Sequence, residues 1–153
     1  YYTDFLYRPR RAEELRTVDG GGVLFSQGAH QIDIARLLCG GVVSRLAATC
    51  NSWDEARAEE GAYNIIMQFE NGANASLTYS GHAHYISDEQ LGHIGELGQL
   101  KSPAQYGSAR KNLNSAGSIF DEDQLKHART YGHAEPISPA EAHEHFGEFL
   151  VSL

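Results

Sequence analysis

Two runs of alternating apolar and polar residues, AYNIIMQFE and ANASLTYSG, flank Asn71-Gly72. Period-two alternation turns every second side chain toward a buried face, so each run predicts a strand. Asn-Gly is the pair favoured in a two-residue type I′ turn, so the two runs predict a β-hairpin. VVSRLAATCNSW (Val42 to Trp53) alternates in the same way and predicts another strand before it. HAHY, after the hairpin, could extend its second strand. Further upstream the period changes. Leu24, Phe25, Ile32, Ala35, Leu37 and Leu38 recur at mixed spacings of three and four, which predicts a helix buried around much of its circumference. Ser26 is the candidate N-cap and Gly40-Gly41 the stop, with Arg36 on a wet edge.

The ends of the chain are less regular. YYTDFLYRPRR alternates bulky and polar groups and predicts a short strand that Pro9 stops or places at an edge. RAEELRT predicts a short polar helical turn, VDGGG a flexible loop and DEARAEEG a charged one. Ser87 to Pro136 is rich in Gly, Ser, Asn and Gln with weak periodicity, as in a functional loop or a partly disordered insertion. Within it, a helical turn is expected near Pro103. DEDQLKHARTYG carries acids at its start, bases near its end and a closing Gly132, the charge order of a short helix. Ser138, Pro139 and Glu141 form a capping-box helix start. One major helix followed by consecutive antiparallel strands gives an α+β class: an open, mainly antiparallel β-sheet with helices on one face.

Composition narrows the function. The 153 residues suit one domain, and 41% hydrophobic with 21% charged residues marks a globular chain. The net charge of -8 argues against a nucleic-acid partner, whose footprint would be basic. No apolar run approaches the ~20 residues of a membrane span, and the lack of a charged-then-apolar start gives no expectation of a signal peptide. Cys39 and Cys50 form no C-x-x-C pair, so reduced thiols and a cytoplasmic location are expected. The chain begins inside an aromatic run without Met and ends on FGEFLVSL, which reads as a piece cut from a longer protein.

The candidate chemistry starts with His30 and Asp33. At i and i+3 on a helix they share one side, where a carboxylate can orient an imidazole for general acid/base work. Ser26 and Gln27 lie one turn earlier and would complete a polar stripe. The competing reading is a buried histidine satisfied by its neighbours, with a capping serine.

The flanks add weight to the first reading. GGGVLFSQGAHQIDIARLLCGG resembles the signature helix in the C-terminal domain of the glucose–fructose oxidoreductase / inositol dehydrogenase / MocA-like dehydrogenases, in which G-G-G is followed by D-x-G-x-H-x-x-D. Gly20 to Gly22, Gly28, His30, Asp33 and Gly40 fall in register. DFLYRPRRAEEL, NSWDEARAEEGAYNIIMQFENGANASLTYSGHAHY, IGELGQ, PAQYGSAR and HEHFGEFLVS look similar to the phthalate 4,5-cis-dihydrodiol dehydrogenase branch. The family's first acidic position is Ser26 here, and a serine cannot serve as a second carboxylate.

The resemblance implies a two-domain enzyme. A Rossmann domain would hold NAD or NADP and supply a lysine, and the C-terminal domain would form the substrate wall. His30 would relay a hydroxyl proton while hydride leaves the adjacent carbon. No G-x-G-x-x-G follows a strand in this chain, so the chain alone is expected to be inert. A non-catalytic ligand-binding or dimerisation domain on the same scaffold is the alternative.

Arg8 and Arg10 flank the rigid Pro9, and a guanidinium suits a carboxylate substrate, though a solvated basic turn explains them too. Arg57 sits among acids that can pair it. His82-x-His84 and His143-x-His145 invite a zinc reading, but no carboxylate or cysteine spacing completes a tetrahedral set. His82 is therefore expected to line the substrate cleft or to end the strand. Tyr63, Phe69, Tyr79 and Tyr85 are expected in sheet packing. An apolar sheet face left open would suit a homo-oligomer, which is also the family expectation.

Overall fold

In a computed structural model, residues 1–94, 100–103 and 107–131 are described. The strands follow the alternation. β1 (Val43–Asn51), β2 (Ala62–Phe69) and β3 (Asn74–Ser80) form an antiparallel sheet in that order. The register slips once, between Val43 and Arg45. Tyr63, Ile65, Met67 and Phe69 are buried on one face of β2, while Asn64, Ile66 and Gln68 are exposed on the other.

The hairpin turn differs from the two-residue type I′ form. Gly72 N–H donates to the Phe69 carbonyl, Phe69 N–H donates to the Ala73 carbonyl, and Gly72 alone in the turn has positive φ (+92°). This is a three-residue loop with glycine in the left-handed position. The Asn71 side chain gains a use that a type I′ turn would not predict. Its Nδ2 donates to the carbonyls of Cys39 (2.8 Å) and Gly40 (2.9 Å), tying the hairpin to the end of the preceding helix.

Two compact units are present. The first comprises Tyr1 and residues 12–82, and the second residues 2–11 with the described residues from 83 to 131. In the first unit, helix α1 (Ala29–Cys39) lies against β3, and Gly40 closes it in the left-handed conformation (φ +60°), as the double glycine predicts. Gly28 packs on the Tyr63 ring, where a Cβ would stand 3.3 Å from Cε1. Tyr63 is fully buried, stacks on Tyr79 (5.6 Å between centroids) and donates its hydroxyl to Gln31 Oε1 (2.8 Å). Tyr1 joins the outer edge of β3: its amine donates to the Thr78 carbonyl, and its carbonyl accepts from Ser80 N–H.

Burial drives the Tyr63 hydroxyl well above its ordinary value of 10, and its cross-strand neighbour Cys50 pushes the same way. A raised folded-state pKa means that, above pH 10, the unfolded chain gives up this proton while the folded chain keeps it. Stability should therefore fall with rising pH, by up to about 1.4 kcal/mol per pH unit from this group. Denaturant titrations at pH 8.5 and 11 should show the loss, and Tyr63→Phe should flatten it. An equal slope in the variant would refute the assignment.

Other expectations change. α1 is not buried around its circumference: only Ala35 is buried, and Leu37 is 80% and Leu38 51% exposed. The sheet's open face carries Arg45, Thr49, Asn64, Gln68 and Thr78 around one large apolar residue, Ile66, so it is mostly polar. β3 stops at Ser80, and HAHY does not extend it. Cys39 and Cys50 are free thiols.

In the second unit the expected N-terminal strand is instead a 3₁₀ turn, Phe5–Tyr7, closed by Tyr7 N–H on the Asp4 carbonyl. The region read as a loop or insertion carries a 3₁₀ turn (Ser87–Leu91) and the helices α2 (Ser108–Ala116) and α3 (Ile119–Tyr131). Local capping and charge specify α3 without long-range periodicity: Ser118 Oγ accepts from Asp121 N–H, and Asp121 and Glu122 occupy the first turn. The capping box at Ser138, the pair His143/His145 and the closing Gly132 lie outside the described residues. Among the described residues, no helix is long and apolar enough to cross a membrane.

Candidate functional site

The approach to α1 is a built turn rather than a flexible loop. Thr17–Asp19 forms a 3₁₀ turn closed by Gly20 at φ +85°. Gly21 N–H donates to the Arg16 carbonyl, and a Cβ on Gly21 would stand 2.5 Å from the Glu14 carbonyl oxygen. Gly22, at φ +87°, lies directly under the Glu60 carboxylate, 2.1 Å from Oε1 to where its Cβ would be. The positive φ favours glycine at position 22, and any Cβ there would displace the Glu60 carboxylate.

Glu60 holds this turn through several contacts. Its backbone carbonyl accepts from Val23 N–H (3.0 Å) and its Oε1 from Leu24 N–H (3.3 Å). The Thr17 hydroxyl donates to Oε2. Neither Glu60 nor Thr17 stands out in the sequence. The available signal was a glutamate before a strand together with a glycine triad before a helix, a pairing visible only once the two are close in space.

Leu24–Gly28 then forms a π-turn, in which Ala29 N–H reaches back five residues to the Leu24 carbonyl. Such turns concentrate at functional sites. The π-turn also corrects the expected cap. Ser26 lies inside the helical turn, not at its N-cap, and its hydroxyl donates to the Gly22 carbonyl (2.7 Å). The extra residue breaks the i, i+4 register that would have aligned Ser26 and Gln27 with His30. Gln27 is half-buried beside Ser26.

His30 and Asp33 both lie on α1 and both are exposed to solvent. His30 is the second residue of the α-helix, immediately beyond the π-turn. His82 belongs to the same unit and is nearly fully buried, its ring 4.7 Å from the exposed Trp53 ring. Arg8 and Arg10 belong to the second unit. Arg8 Nε pairs with Asp4 (3.2 Å) and its Nη2 donates to the Thr3 hydroxyl. The Arg10 guanidinium lies 3.5 Å over the Phe5 ring and donates to the Phe5 carbonyl, and its backbone N–H is held by Glu122. Also in this unit, a cavity of about 50 Å³ is lined by Asp4, His84, Asp88, His93 and Lys101 among others.

Comparison with known proteins gives these features a lineage. A 1-carboxy-3-chloro-3,4-dihydroxycyclohexa-1,5-diene dehydrogenase from Comamonas testosteroni is 44% identical over 99% of this chain, which spans 39% of that protein's length. A structure from Bordetella bronchiseptica RB50 assigned as a dehydrogenase is 40% identical over 92% of the chain and 36% of its own, with a TM-score of 0.81. GenD2 from gentamicin A biosynthesis, solved with NAD, shares the fold alone: 16% identity over 91% of this chain and 46% of its own, TM-score 0.50. The family model for the GFO/IDH/MocA C-terminal domain matches residues 1–101. The histidine helix, the glycine turn before it and the hairpin after it all lie within that match, and the chain belongs to the GFO/IDH/MocA C-terminal domain family.

Proposed function

We propose that this chain is the substrate-side domain of a dehydrogenase that oxidises a ring hydroxyl of a cyclic dihydrodiol carboxylate, with His30 as its general acid/base. The observation that carries this reading is the exposed imidazole of His30, set on the first turn of α1 directly after a π-turn. An imidazole there can take the hydroxyl proton as the carbinol carbon is oxidised. Asp33, one turn on, would steady the imidazolium. The name of the Comamonas relative supports a carboxylated, ring-held diol, and the phthalate 4,5-cis-dihydrodiol is the finer candidate from sequence resemblance.

The hydride acceptor on this reading is NAD or NADP, in keeping with the NAD bound by GenD2. The described residues of this chain do not fit it. The one glycine-rich turn is filled by the Glu60 carboxylate, which would repel a pyrophosphate at the same point. The dinucleotide would have to be held by polypeptide outside these residues. The reading is tested by supplying the full-length dehydrogenase with NAD or NADP and a cis-dihydrodiol carboxylate. Growth of reduced-nicotinamide absorbance at 340 nm is expected. Its absence with every such diol, in protein shown to bind the dinucleotide, would refute the reading.

Homo-oligomerisation is part of the proposal. β1 is exposed on both faces, Leu46 is 60% exposed, and among the described residues its outer edge has no neighbouring strand. Long open edges and faces of this kind are surfaces on which a second copy can pair. Sedimentation should give a dimer or larger, and Ile66→Asp with Leu46→Glu should shift it to a smaller species. A monomeric parent would end this part of the proposal.

A further inference from the structure

We infer that Glu60 is a positioning residue for His30: its carboxylate, seated on the glycine turn, sets the rotation of helix α1 and so the place of the imidazole. The inference rests on the reading of His30 as the acid/base. Glu60 is only 9% exposed, and among the described residues no cation pairs with it. A carboxylate in such a place is costly unless its hydrogen bonds are made. Here they come from Leu24 N–H and the Thr17 hydroxyl, at the positive end of the helical segment.

These contacts hold one side of the π-turn, and Tyr63 against Gly28 holds the other. A π-turn contains one residue more than an α-turn and is the rarer form, and here contacts on both sides favour it. If the Glu60 side is released, the turn can relax to α. One residue's worth of slippage rotates α1 by about 100°, which would carry His30 away from a substrate it had faced. Displacement of about 1 Å at a reacting group already costs on the order of 100-fold in rate.

The test uses the full-length dehydrogenase with a cis-dihydrodiol carboxylate and NAD. Glu60→Ala should lower kcat by about 10- to 100-fold with KM within about 3-fold. Glu60→Gln, which keeps an acceptor for Leu24 N–H, should recover most of that loss. Met67→Ala, a core truncation in β2 away from this turn, should lower the melting temperature yet keep kcat, which separates positioning from stability. Should Glu60→Ala fail to fold, Thr17→Val replaces it, with a several-fold fall in kcat expected. A folded Glu60→Ala with parental kcat, or parental kcat in Thr17→Val where Glu60→Ala does not fold, would overturn the inference. So would an equal kcat loss in Met67→Ala. His30→Ala is run in parallel. If it is inactive while Glu60→Ala is not, only the positioning inference fails; if it stays active, the reading of His30 fails with it.

Discussion

On the proposed reading, His30→Ala in the full-length protein is expected to lower kcat by about 10²- to 10⁴-fold, the usual worth of a positioned general acid/base. The imidazole is exposed and Asp33 stands one turn along the same helix, so truncation removes the proton acceptor without opening a cavity. Folding should be unaffected, since surface changes of this kind usually shift stability by no more than about 0.5 kcal/mol. KM should stay near the parental value, because the lost interaction matters only as the proton moves. Asp33→Asn should cost less, since it removes a support and not the base. Steady-state assays at 340 nm with matched melting curves check both variants. Parental kcat in His30→Ala would remove this residue from the mechanism.

Gly21→Ala is expected to have the largest effect on stability. The new methyl would stand 2.5 Å from the Glu14 carbonyl oxygen, 2.7 Å from its carbon and 2.8 Å from the Arg16 carbonyl oxygen. These are backbone atoms, so no rotamer change relieves the overlap. Overpacking of this kind costs roughly 1–3 kcal/mol, and more where the backbone cannot move. Gly20→Ala is the control. Its φ is +85°, but no atom lies within 4 Å of the new methyl, so it should cost only about 1–2 kcal/mol of left-handed strain. Denaturant unfolding of the three proteins should rank them parent, Gly20→Ala, Gly21→Ala. Reversal of the last two would show that the turn can open at little cost.

Much of the sheet was legible because strands write their burial in alternate residues. Tyr63, Ile65, Met67 and Phe69 point inward as the pattern requires, and Gly40 ends α1 as a left-handed cap. The α+β class follows from the same signals. The N-terminal segment misled because Tyr, Phe and Leu alternate there without forming a ladder: Asp4 closes a turn on Tyr7, and Arg8 pairs back to Asp4. Helix α1 misled differently. Its apolar positions fit a buried helix, yet Ile34, Leu37 and Leu38 face outward. Composition shows that a residue is apolar, not what covers it.

The histidine and the glycine triad were visible as a motif. The π-turn was not, because its one extra residue depends on contacts with Glu60 and Tyr63, both more than 30 positions away. Ser26 looked like a cap because serine before an apolar run usually is one. Once the turn widens, its hydroxyl finds the Gly22 carbonyl instead.

Trp53 is the chain's single tryptophan. It lies on the loop after β1, two-thirds exposed, with the His82 ring 4.7 Å away. In optical terms the domain therefore carries one indole at one known address, beside the His82 imidazole. Excited at the red edge of its absorption, where tyrosine does not absorb, it reports on the surroundings of Trp53 with no label added and no competing indole in the chain.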